Sequence, residues 1–174
     1  MEIGMSWEFE FTCPICNSDN NVPPIGPKKS PILIIGDKPG PQELKEGKPF
    51  VGATGGVLRE ELAHHGVDMR KIRITNLWLH EDNKNKDCKE YGAKQALHEA
   101  QDKKIILLIG SDTVKYFANA SVEEYNGLLV QCNLIPDAIV MACVQPTTAF
   151  HSGLGEIRFA IEQFAELLMS EGLI

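Results

Sequence analysis

Pro31-Ile32-Leu33-Ile34-Ile35-Gly36-Asp37-Lys38-Pro39-Gly40 opens as an unbroken apolar run and closes in turn residues. A strand wetted on one face alternates apolar and polar side chains, whereas a run without polar alternates is covered on both faces, the pattern of a parallel sheet. Ile72 to Leu79, Ile105 to Ile109 and Ala138 to Val144 read the same way, and Asn119 to Pro136 has room for a short extra strand at Leu128 to Cys132. Helical spacing falls between them. Val57 to His65 groups Val57, Leu58, Leu62 and Ala63 on one side, Lys89 to Ala100 is a polar helix, Asp112 to Ala118 follows the third strand, and Ile157 to Met169 repeats Ile157, Ile161, Phe164, Ala165 and Leu168. Alternating strand and helix predicts an α/β fold: a three-layer α/β/α sandwich around a central, mainly parallel four-stranded sheet. Residues 1–174 read as one domain, with an N-terminal metal-binding knuckle at about residues 10–20 and an irregular connection, Asn17 to Pro31, into the first strand.

Composition narrows the function classes. With 43% hydrophobic and 24% charged residues, the 174-residue chain has the make-up of a soluble globular domain. No apolar run approaches the roughly 20 residues of a bilayer crossing. Met1-Glu2-Ile3-Gly4-Met5 carries acid where a secretory signal carries base, so a cytoplasmic or nucleoid-associated location is expected, with no membrane partner. Five cysteines, an odd number, do not make a disulfide framework in that compartment; metal binding is the sharper question. The net charge of −7 argues against broad electrostatic capture of nucleic acid. From Ser111 onward two basic residues face eight acidic ones, however, so nearly all of that charge lies there. Lys28, Lys29, Lys38, Lys45, Lys48, Arg70, Lys71 and Arg73 can form either a local basic face or an ordinary solvated surface.

Ligands of open α/β sheets bind outside the carboxyl ends of the strands, where loops converge and helix N-termini point their free N–H groups. The loop after the first strand runs through Gly36-Asp37-Lys38-Pro39-Gly40-Pro41 and Glu43 to Gly47-Lys48-Pro49-Phe50-Val51-Gly52, with a helix expected to start near Gly55-Gly56. It can be a tight strand-to-helix connection. It can also be a phosphate loop of a flavodoxin-like small-molecule enzyme, although neither G-x-x-x-x-G-K-[ST] nor G-x-G-x-x-G spacing is present. Read whole, with Ile74-Thr75-Asn76 after the next strand, the string resembles the family-four uracil-DNA glycosylases. The likeness extends from Cys13-Pro14-Ile15-Cys16 through Leu108-Ile109-Gly110 to the closing helix.

The resemblance implies an enzyme that flips uracil out of DNA and hydrolyses its N-glycosidic bond, acting as a monomer on uracil-containing DNA. Phe50 matches the aromatic that stacks on the base, its alternative being a core Phe. Asn76 matches the residue that pairs with the uracil edge, since one carboxamide offers both donor and acceptor; its alternative is a capping Asn. Gly36, Pro39 and Gly40 complete the pocket wall. Glu43 bonds loop amides, meets a thymine methyl, or is simply solvated. Asp37 stands where the family usually has Glu and would assist water and the cationic sugar.

Two departures accompany the likeness. Where the family shows His-Pro-Ser, this chain has Gln145-Pro146-Thr147. Loss of one donor to a developing anion costs on the order of 100- to 1,000-fold in rate, so a weak or inactive relative serving as a nucleic-acid- or protein-binding module is the alternative function. His151 is a possible substitute donor. The family also holds a four-iron, four-sulfur cluster on four cysteines. Cys13, Cys16 and Cys88 match three of them and His80 stands at the other, a Cys3His set that suits zinc at least as well; without metal the CxxC is two ordinary thiols. Cys132 and Cys143 read as packing residues.

Overall fold

The computed structural model describes residues 8–174; the reading made on Met1 to Met5 lies outside them. In chain order the elements are β1 (Ile32–Gly36), α1 (Pro41–Glu46), α2 (Ala53–His64), a 3-10 turn (Met69–Lys71), β2 (Arg73–Asn76), α3 (Lys86–Ala100), β3 (Ile105–Ile109), α4 (Ser111–Ala118), α5 (Val122–Tyr125), β4 (Leu129–Val130), β5 (Ile139–Cys143), a second 3-10 turn (Pro146–Phe150) and α6 (Gly155–Ser170). The sheet order is β2-β1-β3-β5-β4. β1, β2, β3 and β5 run parallel, in the register Leu33 opposite Arg73 and Ile106, with Ile105 opposite Ile139. β4 pairs antiparallel with β5 at the edge. The sheet therefore has five strands where four were expected, the fifth lying within Leu128 to Cys132.

The apolar runs form strands because they are covered on both sides: every residue of β1 and β3 is buried. The crossover from β1 to β2 through α2 steps one way along the sheet, and that from β2 to β3 through α3 steps back the other way. Right-handed crossovers of opposite direction put their helices on opposite faces, which yields the three layers. α3 packs on β1 and β2, while α2 packs on α6. The reversal of direction falls between β1 and β3, whose carboxyl ends thereby part to leave a crevice.

Three local differences from the sequence reading have physical reasons. The second strand ends at Asn76 and not at Leu79, although Leu77, Trp78 and Leu79 remain buried. Burial without pairing looks like strand in a sequence. The loop after β1 contains α1, which has no buried residue and hence no apolar period to reveal it. Arg73 leaves the proposed basic face: its guanidinium is buried, paired with Glu99 at 2.8 and 2.9 Å, and donates to the Gly26 carbonyl at 2.7 Å.

Candidate functional site

Asp37 leaves β1 at the switch point and crosses to the first turn of α4, which begins just after β3. Its Oδ1 accepts the Thr113 amide at 2.9 Å and also the Thr113 hydroxyl. The carboxylate lies directly over Gly110, where φ is +106° and a β-carbon would collide with it. Glycine is required there twice over, for the left-handed backbone and for the close approach. One carboxylate oxygen is thus spent on joining the first and third loops.

Glu43 organises the loop that carries Phe50. Its carboxylate accepts the amides of Gly40 and Val51 at 3.0 Å each, and that of Gly52 as well. The bond to Gly40 closes a capping box on α1, and the other two amides precede α2. Between them Phe50 adopts φ of +54°, a left-handed conformation that costs an L-residue roughly 1–2 kcal/mol. Charge-assisted bonds to the two following amides hold the chain in it, with Arg59 donating to the Phe50 carbonyl at 3.3 Å. Of the three roles open to Glu43 in the sequence, the bonding of loop amides is the one its contacts fill.

Asn76 ends β2 directly opposite Gly36, the last residue of β1. A β-carbon at 36 would meet the Asn76 carboxamide oxygen and lie 2.6 Å from the Phe50 ring. Asn76 as a residue is only 4% exposed, and its side chain makes no hydrogen bond to another described residue. From the fourth strand end, Gln145 caps the second 3-10 turn with its carbonyl, which accepts the Thr148 amide at 3.0 Å and the Thr148 hydroxyl at 2.9 Å. Its side-chain amide is likewise without a partner among the described residues. His151 is exposed at the far end of that turn and is not part of the cavity wall.

These loops enclose a cavity of about 340 Å³ walled by Asp37, Pro39, Gly40, Glu43, Phe50, Asn76 and Gln145, together with Lys38, Thr54 and Thr147. Gly36, expected in the pocket wall, is not among the residues that line the cavity; it packs against Asn76 and Phe50. Lys38 and Thr147 were named in the sequence only within a basic set and a motif, and Thr54, with Thr113 behind Asp37, not at all; the signal for them was their place after strand ends. Lys45 and Lys48 are exposed on the same loop as Phe50, and Lys38 pairs with Asp82 at 3.7 Å. A second cavity, of about 410 Å³, lies at the other edge of the sheet between the end of α3 and residues 134–138. Its buried Lys103 is already committed to the Lys28 carbonyl and Asp102.

The metal-ligand candidates also converge. The Cys13–Cys16 turn closes through Cys13 N–H to the Ser18 carbonyl at 2.8 Å and Asn17 N–H to the Cys13 carbonyl at 2.9 Å. Val22 then donates to the Leu79 carbonyl at 2.7 Å, which draws the knuckle against His80. Cys88 comes from the first turn of α3. The Sγ atoms of Cys13, Cys16 and Cys88 and a ring nitrogen of His80 all lie within 4.8 Å of one another, a set able to hold a metal. A backbone hydrogen bond from Ser18 holds the Cys16 thiol below its ordinary value, whereas burial pushes Cys88 up to about 11. A coordinated cation deprotonates a thiol outright and would offset that burial cost at Cys88.

Residues 23–165 match the family model of the Uracil DNA glycosylase superfamily. The chain is similar to the type-4 uracil-DNA glycosylase of Archaeoglobus fulgidus, 32% identical over 108 residues, which cover 58% of this chain and 53% of that protein. The corresponding protein of Sulfurisphaera tokodaii is 30% identical over 118 residues, 63% of this chain and 53% of the relative. That of Pyrobaculum aerophilum is 41% identical over 66 residues, 37% and 34% of the two chains. The chain spans about half the length of the first two relatives. The family match runs from before β1 into α6, and so takes in every wall of the cavity at the switch point; the chain belongs to the uracil-DNA glycosylase superfamily and resembles its type-4 members.

Proposed function

We propose that this protein draws a flipped uracil from DNA into the cavity at the β1 and β2 ends and cleaves its N-glycosidic bond with water. The observation that carries the reading is the Asn76 carboxamide, which lines the cavity and makes no hydrogen bond to another described residue. One carboxamide offers both a donor and an acceptor, so from the cavity wall it can pair with a base edge that presents an acceptor and an N–H. Phe50 supplies the stacking face, held at its φ by Glu43. Asp37 has its Oδ2 left for the attacking water and for the positive charge that grows on the sugar. Water adds at the anomeric carbon and gives up a proton to solvent by way of Asp37, the bond to the base nitrogen breaks with its electron pair going to the base, and the base takes up a proton from solvent. Gln145 donates its amide to the departing base, a weaker partner for a developing anion than the imidazole of the family pattern.

A non-catalytic DNA-binding reading is favoured by two observations: Gln145 replaces that imidazole, and Asp37 is half engaged by Thr113. Oligonucleotides containing uracil, single- and double-stranded, decide between them. Abasic product that is abolished by Asn76→Ala and raised about 10- to 100-fold by Gln145→His supports excision. Salt-dependent binding with no abasic product from either protein, at stoichiometric amounts, supports the binding module.

A further inference from the structure

We infer that Cys13, Cys16, His80 and Cys88 hold one zinc ion and not the four-iron, four-sulfur cluster that the family resemblance implies. The inference is independent of base excision and rests on the ligand atoms alone. In a tetrahedral zinc site, with Zn–S of about 2.3 Å and Zn–N of about 2.0–2.1 Å, neighbouring sulfurs stand about 3.8 Å apart and a sulfur and nitrogen about 3.5 Å apart. Here Cys13 Sγ lies 3.8 Å from Cys88 Sγ, and Cys16 Sγ lies 3.5 Å from His80 Nε2. A four-iron cluster binds each ligand to a different iron around a cage of sulfides, which spreads the ligand atoms to roughly 6 Å. No pair in this set is more than 4.8 Å apart, so the cage does not fit between them.

The surroundings of the imidazole point the same way. His80 Nδ1 is 2.8 Å from the Glu81 carbonyl oxygen. A carbonyl only accepts, so the proton sits on Nδ1, and Nε2 keeps its lone pair on the side of the three sulfurs. A backbone carbonyl on the far ring nitrogen is the usual way a zinc-bound histidine is fixed in tautomer and orientation. Asn83 Nδ2 approaches Cys88 Sγ at 3.7 Å, an N–H donor to a group that would be a thiolate. Three thiolates with a neutral imidazole leave one negative charge around a divalent ion, which that donor helps to spread. Cys13, His80 and Cys88 are buried, and four protein ligands fill a tetrahedron. The ion is therefore structural: it has no open position for water or substrate and undergoes no redox change. Its place is to tie the knuckle to the segment that leaves β2 just past Asn76 and to the first turn of α3.

The full chain, expressed with iron and zinc both supplied and purified without oxygen, is analysed for metals and acid-labile sulfide. About one zinc per chain in a colourless protein is expected; about four irons with matching sulfide and brown absorption overturn the inference, as does protein that neither contains nor takes up zinc. Cobalt(II) exchanged into the same protein reports its ligands through the visible spectrum. A tetrahedral spectrum that shifts toward the four-thiolate type in His80→Cys is expected, and identical spectra for the two proteins would remove His80 from the ligand set. Should His80→Cys fail to fold, the zinc and iron content of the wild-type chain still decides.

Discussion

The Asn76 carboxamide and the α-carbon of Gly36 face each other across the ends of β2 and β1 so closely that a β-carbon at position 36 would overlap the carboxamide oxygen and strike the Phe50 ring. Gly36→Ala is expected to displace both residues at once. Overpacking of this kind costs about 1–3 kcal/mol, a small fall in melting temperature. Displacing the pair by about 1 Å should lower uracil excision on the order of 100-fold. Thermal melting and an excision assay on the same preparation check the two effects together.

Glu43 is expected to act through Phe50. Glu43→Ala frees the amides of Gly40, Val51 and Gly52 and should cost about 1.5–3 kcal/mol in chemical denaturation. Phe50 then relaxes from its left-handed conformation, and binding of single-stranded DNA carrying uracil should weaken. Glu43→Gln keeps one oxygen acceptor and should retain part of both properties. Wild-type stability and binding in Glu43→Ala would mean that the loop does not depend on these bonds.

The buried pair of Arg73 and Glu99 predicts an asymmetric result. Glu99→Ala strands the guanidinium with only the Gly26 carbonyl and should destabilise the fold by about 3–5 kcal/mol. Replacing both partners by apolar residues should cost much less, because no unpaired charge remains. Denaturant midpoints of the single and double variants test this directly.

Alkaline stability should depend on Cys143. Complete burial pushes its thiol well above the ordinary value of 9.0. The unfolded chain therefore releases this proton near that value, while the folded chain retains it. Above about pH 9 the unfolded state binds fewer protons, so stability falls as pH rises, by up to about 1.4 kcal/mol per pH unit; below that value the contribution is fully present. In reducing buffer, the stability gap between wild type and Cys143→Ala should narrow between about pH 8 and pH 10.

The order of apolar runs was sufficient to read an α/β sandwich, because burial on both faces is written locally, residue by residue, in the absence of polar alternates from Ile32 to Ile35 and from Ile105 to Ile109. The cavity wall was legible for a related reason: Asp37, Phe50, Asn76 and Gln145 all lie in loops after strand ends, and the sheet rule directs attention there. The likeness to a known family named the residues; composition alone would not have. What the sequence left open were relationships between distant positions and the conformations they impose. Asp37 meets Thr113 across 76 positions and Cys13 meets Cys88 across 75, distances along the chain that carry no pattern. Phe50 held in a left-handed conformation by Glu43, Arg73 withdrawn to Glu99, and four candidate metal ligands gathered from the knuckle, His80 and α3 are relationships of this kind. Local sequence sets which side chains must leave water. Only the packed tertiary structure sets which of them then meet, and at what separation.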